Sequence, residues 1–449
     1  MAIGILVALC LFIYLAMRGT NIVLASLICS TTVVLTTGIP FDKAMLEYFP
    51  AGALGAFTFA GKFFLLFIAG AMFGKAMGVS GSASRIANAL VDWLGTERAI
   101  WITVIFTSVL TYGGVVVFVV IFAMYPIGVQ LLAKANMPKR LFTGAMALGV
   151  GTYTMTALPG SPSIHNVISS VALDTDLFAA PGYGLFGSAL MIASGMVYLE
   201  WQRKKALANG EGFVPTEKDK LILASDESQV LPPLWTSILP LASVLVLIVG
   251  TKILASMDIE IAGLVAYSQA QPIIWPSLAL LGGVAITLLL SPRLRRNALD
   301  NLGAGAEDAI LPLIATSVVI GFGGVVSQTE AFQWFTKSMT EVDMPVLLSV
   351  FIAASAVSAV VGSSTGGLQI FLATMAPDYL AKGVEPEVLH RVAAMASGGF
   401  DSLPHCGAIV TVLAVTGLTH KEGYKDIGVV TVLFPVMATL STIALVMMN

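Results

Sequence analysis

Long uncharged stretches recur down the whole chain, and many are long enough to cross a lipid bilayer. A span needs ~20 apolar residues. Full spans are expected near 1–17, 21–38, 53–76, 141–172, 184–202, 234–253, 272–290, 304–326, 388–418 and 427–448. Inside hydrocarbon every backbone polar group must be satisfied by the chain itself, so such segments fold as helices. The fold class is therefore an all-α polytopic membrane protein. Composition agrees: 57% of residues are hydrophobic, 11% are charged and mean hydropathy is +0.90. A net charge of −3 excludes a nucleic-acid-binding polycation and leaves a small anionic ligand open. Cys10, Cys29 and Cys406 show no paired spacing, which argues against a disulfide framework or a zinc site, and no cofactor is expected. No basic stretch precedes the first apolar run, so it reads as a retained helix.

Basic residues set the direction of the spans. Arg203, Lys204 and Lys205 follow one span, and Arg293, Arg295 and Arg296 follow another two spans later, so both clusters are expected on the cytoplasmic side. Between them, 254–271 carries Asp258 and Glu260 without a basic residue and is expected outside. Propagated along the chain, this topology makes the stretches 98–131 and 344–378 re-entrant hairpins and puts both chain ends outside. The segments 80–94 and 328–340 are amphipathic and are expected along the membrane surfaces. The stretch 203–233 is rich in charge, glycine and proline and reads as a mobile cytoplasmic linker.

The chain also resembles itself. Residues 132–141 read LAKANMPKRL and residues 380–389 read LAKGVEPEVL. At a nearly constant spacing, Phe73-Gly74 aligns with Phe322-Gly323, Ala145-Met146-Ala147 with Ala394-Met395-Ala396, and Leu158-Pro159 with Leu403-Pro404. The expected organisation is an N-terminal helix pair (1–52), a first repeat (53–203), a linker (204–233), a connecting helix pair (234–302) and a second repeat (303–449). The topology starts one copy outside and the other inside, so the repeats are inverted. Inverted repeats with broken helices mark secondary transporters, with the substrate site where the breaks meet.

Four breaks stand out. The hairpin tips are Thr111-Tyr112-Gly113-Gly114 and Gly362-Ser363-Ser364-Thr365-Gly366-Gly367. The helix breaks run from Thr154 to Ser163 and from Gly399 to Gly407. Each exposes a helix N-terminus with free N–H groups beside hydroxyls, which suits a carboxylate. Expected substrate-binding residues are Thr111, Tyr112, Gly113, Gly114, Thr156, Ser161, Ser163, His165, Asn166, Ser363, Ser364, Thr365 and Gly366. The alternative reading of each break is close helix packing alone. An ionisable residue inside a membrane is a functional hypothesis by default. Asp401 stands opposite Thr156 in the repeat alignment and His405 opposite Gly160, so these two groups break the pseudo-symmetry and are the expected proton-coupling residues. Helix capping and core packing are the alternatives. Lys62, in mid-span, could offset substrate charge or snorkel.

With these motifs in view, the chain resembles the gluconate permease (GntP) family of the ion transporter superfamily. The strings that carry the resemblance are LTYGGVVVFVV (110–120), TMTALPGSPSIHN (154–166), GSSTGGLQIF (362–371) and GFDSLPHCGAIVTVL (399–413). The resemblance implies proton-coupled uptake of a small hydroxy or sugar acid across a bacterial inner membrane. It also implies an elevator-type architecture and a homodimer. Sodium-coupled relatives bind sodium through Ser-Asn-Thr strings at the hairpins, which Ser363-Ser364-Thr365 only approximates. The leading expectation is a proton:organic-anion symporter, with a sodium-coupled carboxylate transporter as the alternative. Nothing in the chain pairs a base with a nucleophile, so an intramembrane enzyme is disfavoured.

Overall fold

The computed structural model describes residues 2–448 apart from 53, 113–116, 162, 225–230, 258, 262 and 272. Gly113, Gly114, Pro162 and Asp258 therefore lie outside the described residues. The described residues form helices and loops with no strand. Among the described residues six helices are long and apolar enough to cross a membrane, or up to eight spans if two bent pairs each count as one. Ala2–Met17 and Ile22–Thr37 form the N-terminal pair and pack on each other. Ala56–Val79 and Ala298–Ser327 pack along one another, and each contributes side chains to both of two large apolar cores. One core gathers Phe67, Phe122, Leu132, Phe142 and Leu199; the other gathers Phe12, Phe322, Val350, Phe371 and Leu389.

After each of Ala56–Val79 and Ala298–Ser327 the chain runs through the same succession. A short amphipathic helix comes first, Ser82–Leu94 or Glu330–Glu341. Two helices packed on each other follow: Ala99–Tyr112 with Val117–Ala135 (hairpin 1), and Val346–Val361 with Ser364–Thr374 (hairpin 2). Next comes an interrupted helix. Broken helix 1 is Lys139–Gly151, the turn Tyr153–Thr156 and Ile164–Leu173; broken helix 2 is Pro386–Ser397, the turn Phe400–Ser402 and Gly407–Thr416. The two parts of broken helix 2 meet at 49°. A long helix closes each stretch, Pro181–Ala208 or the continuous run His420–Met448, and these two pack on one another.

The hairpin arms are unequal. Val117–Ala135 is long enough to span by itself, whereas Val346–Val361 and Ser364–Thr374 are not. Gly362 joins the arms of hairpin 2 at φ +64°, a left-handed conformation that glycine adopts without steric cost.

Two stretches carry more structure than their composition suggests. Residues 254–271, read as an external loop, contain the helix Leu264–Ala270, which meets Ile274–Leu290 at 118°. Its start is capped by the Glu260 carboxylate, which accepts from the N–H groups of Val265 (3.0 Å) and Ala266 (2.8 Å). The charged stretch 203–233, read as mobile, is instead tied down in its described part. Pro181–Ala208 runs into it, and Glu217–Ala224 forms a helix on Val117–Ala135. Asp219 is fully buried there, 2.5 Å from Lys139 Nζ, accepting from Tyr125 Oη and from Thr216 N (2.7 Å). Lys139 Nζ also donates to Thr416 O at 2.5 Å, so the linker's charge closes over the cytoplasm-facing ends expected for both broken helices.

Candidate functional site

Gly160 takes φ +76°, outside the right-handed helical region, and Pro159 brings no backbone donor, while side-chain hydrogen bonds hold the first break open. Ser163 caps Ile164–Leu173 by accepting from Asn166 N (3.3 Å) and donates to Met155 O (2.8 Å). Ser161 Oγ donates to Tyr112 O (3.1 Å), and Tyr112 Oη donates to Pro159 O (3.4 Å). The described end of hairpin 1 is thereby stapled to the first break. Thr111 and Thr156 are buried, and their hydroxyls donate within their own helices, to Thr107 O and Thr152 O. Of the expected site residues in the first half, Tyr112, Ser161, Ser163 and Asn166 come together.

At the second break the turn Phe400–Ser402 buries Asp401, whose Oδ1 accepts from Ser402 Oγ at 2.9 Å. Ser364, on the first turn of the second arm of hairpin 2, is buried as well, and that arm packs on this turn. Ser363 caps that arm by accepting from Gly366 N at 3.3 Å, and Ser363, Thr365 and Gly366 are half-buried. Tyr424 Oη donates to Ser402 O (3.0 Å) and His420 Nε2 to Pro404 O (2.6 Å), which ties the last long helix to this break. His405 sits in a drier place. Its Nε2 lies 2.9 Å from Ala359 O, so Nε2 carries the hydrogen, and its ring stacks at 5.3 Å from that of Phe12. Nδ1 is left buried without a partner.

The two halves interlock. Ser364–Thr374 packs on Ile164–Leu173 as well as on the Phe400–Ser402 turn, and Val117–Ala135 packs on Gly407–Thr416. Pro386–Ser397 packs on both Tyr153–Thr156 and Ile164–Leu173. Each hairpin thus touches its own broken helix and the far half of the other one. Thr316, on Ala298–Ser327, donates to Gly407 O (3.1 Å) and meets the Thr411 hydroxyl (2.7 Å). Lys62 stays on the outside of Ala56–Val79, exposed and away from these groups. Among the described residues no three His, Cys, Asp or Glu side chains converge as a metal site would need.

One cluster escapes the reading of the sequence. Arg391 is fully buried on Pro386–Ser397, with Nε and Nη2 donating to Ala179 O (3.1 and 2.9 Å) and Nη1 donating to Asn166 Oδ1 (3.0 Å). His390 Nε2 also donates to Asn166 Oδ1 (3.3 Å), and its Nδ1 lies 2.8 Å from the Thr175 hydroxyl. Asn166 Nδ2 in turn donates to Leu158 O (3.1 Å) and Ser161 O (2.9 Å). A signal for this cluster was present, since His390 and Arg391 are ionisable residues inside the expected span 388–418, like Asp401.

A model of GntP family permeases matches residues 1–448 of the chain. The chain is 36% identical to the uncharacterized transporter YxjC of Bacillus subtilis, over 98% of this chain and 99% of that one. It is 25% identical to the high-affinity gluconate transporter of Escherichia coli over 88% of this chain and 87% of that one. A third relative, the gluconate permease of Bacillus subtilis, is 29% identical over 43% of this chain and 44% of its own. Apolar spans, broken helices enclosing buried polar groups, and a family match from end to end lead to one conclusion: the chain belongs to the GntP permease family and is a multi-pass membrane transporter, not an enzyme.

Proposed function

We propose that the protein is a proton-coupled symporter of a small organic anion, a gluconate-like sugar acid or short hydroxy acid, in a bacterial inner membrane. The observation that carries this reading is Asp401, buried at the second break against the capped arm of hairpin 2. A carboxyl group in that position can carry a proton through the membrane, and the interlocked breaks and hairpins provide the polar surroundings a carboxylate needs. The relatives named for gluconate support the substrate class.

The substrate carboxylate sits among the breaks and tips, held by helix N-terminal N–H groups and by Ser161, Ser163, Ser363, Ser364 and Thr365, while Asn166 orients its neighbours. Asp401 carries the proton. His405, bonded to hairpin 2 through Ala359, relays its state to that hairpin. The stretches 53–203 and 303–449 act as inverted repeats, and the hairpins and broken helices move as one elevator-like body during alternating access. The working unit is a homodimer.

The test is uptake into proteoliposomes of gluconate, glycerate, lactate, 3-hydroxybutyrate and citrate under an imposed pH or sodium gradient. Accumulation of one acid with the pH gradient alone supports the reading. Accumulation driven by sodium alone overturns proton coupling and moves the ion site to the hairpin hydroxyls.

A further inference from the structure

The buried guanidinium of Arg391 lacks an anion. Among the described residues no carboxylate lies within ion-pair distance of it. Two acidic side chains near this cluster are engaged elsewhere: Asp176, whose charge still acts on Arg391 from beyond ion-pair distance, accepts from Phe178 N (2.6 Å), and Glu387 accepts from Ala180 N (3.2 Å). Arginine does not give up its proton in a protein. A cation taken out of water with no carboxylate in contact is costly, and neutral carbonyl partners do not cancel its charge. A neutral side chain would staple these segments at lower cost.

The surroundings are built to present that cation. Asn166 is fixed by donating to two carbonyls of the first break, so its oxygen must face Arg391 and His390. That oxygen accepts from His390 Nε2, while Nδ1 of the same ring meets the Thr175 hydroxyl, so the imidazole is held at both ends. The guanidinium spends three of its five N–H groups on Ala179 and Asn166, which leaves one on each terminal nitrogen without a protein acceptor. Close approach is enforced from behind: at Gly184 a Cβ would lie 2.5 Å from Ala157 O and 3.0 Å from Arg391 Nε. On the same helix as Asn166, His165 is fully buried with both ring nitrogens unpartnered. A buried guanidinium with two N–H groups to spare points to an anionic ligand.

We propose that Arg391, oriented by Asn166 and His390, is the anion-binding residue of this transporter and takes the carboxylate of a hydroxy acid. This rests on the organic-anion reading above and names the cation that reading lacked. The two terminal N–H groups match a carboxylate's two oxygens, which lysine's point charge cannot reproduce.

The test is thermal stabilisation of the purified, detergent-solubilised full chain by gluconate and glycerate, with sorbitol and glycerol as their uncharged counterparts. The wild type, Arg391→Lys and Arg391→Gln are compared. The acids should stabilise the wild type and the polyols should not. Arg391→Lys should need about 10- to 100-fold more acid, the worth of a charge-assisted hydrogen bond, and Arg391→Gln should not respond. Equal stabilisation by polyols, or an unchanged acid dependence in Arg391→Lys, overturns the proposal and leaves Arg391 a packing staple. Arg391→Lys keeps charge and bulk, so it decides the matter if Arg391→Gln does not fold. Stabilisation without uptake in proteoliposomes supports the anion site and overturns the symport reading alone. A wild type indifferent to both acids overturns the anion site whatever the uptake assay reads.

Discussion

Thr156 in the first break and Gly398 in the second lie directly against each other: a Cβ on Gly398 would stand 2.6 Å from Thr156 Cγ2. Residues far apart in the chain thus share a contact that admits no extra methyl group. Gly398→Ala should cost about 1–3 kcal/mol through overpacking. Removing the opposing methyl with Thr156→Ser should restore most of that loss. Thermal unfolding of the two single variants and the double variant measures the coupling, and additive effects would show that the breaks are not in tight contact.

Asp401→Asn keeps the shape of the side chain and its bond from Ser402 while removing the ionisable proton. It should purify in normal yield, lose accumulation driven by a pH gradient and retain exchange of labelled for unlabelled substrate. Proteoliposomes measure both modes, and unchanged accumulation would remove Asp401 from the coupling mechanism.

Asp219→Ala should free the cytoplasmic linker. Its carboxylate neutralises Lys139, itself only 5% exposed, and removing one member of a buried pair costs about 3–5 kcal/mol. Cleavage within 209–224 by added protease should rise sharply, while an unchanged digestion pattern would mean that the linker docks by other contacts.

The same linker has a pH-sensitive fastening. Arg140 donates to Glu211 (2.7 Å) and to the buried Asp426 (2.6 Å), joining linker, first broken helix and last long helix. The hydrogen bond from Arg140 holds the Glu211 carboxyl below its ordinary value of 4.5. A depressed folded pKa stabilises the docked state above the ordinary value and loses that contribution as pH falls through the folded one. Relative to the intrinsic exchange rate at each pH, protection of 209–224 should therefore fall as pH drops below the ordinary value of 4.5, modestly, since Glu211 is 40% exposed. Glu211→Gln should exchange faster at neutral pH and show no such step.

Much of the fold could be read from the residues because the bilayer leaves few options. Runs such as 56–79 and 434–448 had to be helices, since nothing else satisfies their backbone in hydrocarbon. Pro159, Gly160 and Pro404 marked the breaks because clustered proline and glycine disfavour a continued helix, although single prolines such as Pro126 and Pro312 sit inside helices. Asp401 stood out because charge is costly there. The helix Leu264–Ala270 went unread because its cap, Glu260, lies outside it and looked like surface charge. The docked linker went unread because its composition resembles a free one. Only tertiary partners, Lys139 and Tyr125, make Asp219 a buried residue.

Local sequence determined that this chain crosses a membrane many times, where its helices are interrupted and, through strings retained from end to end, which family it belongs to. Each of these follows from short-range properties: hydropathy, missing backbone donors and linear motif. Tertiary structure alone decided which polar groups meet. Asn166 reaches Arg391 and Thr156 reaches Gly398 only because two interrupted helices pack side by side, and burial turns those meetings into unpaired charge and tight contact.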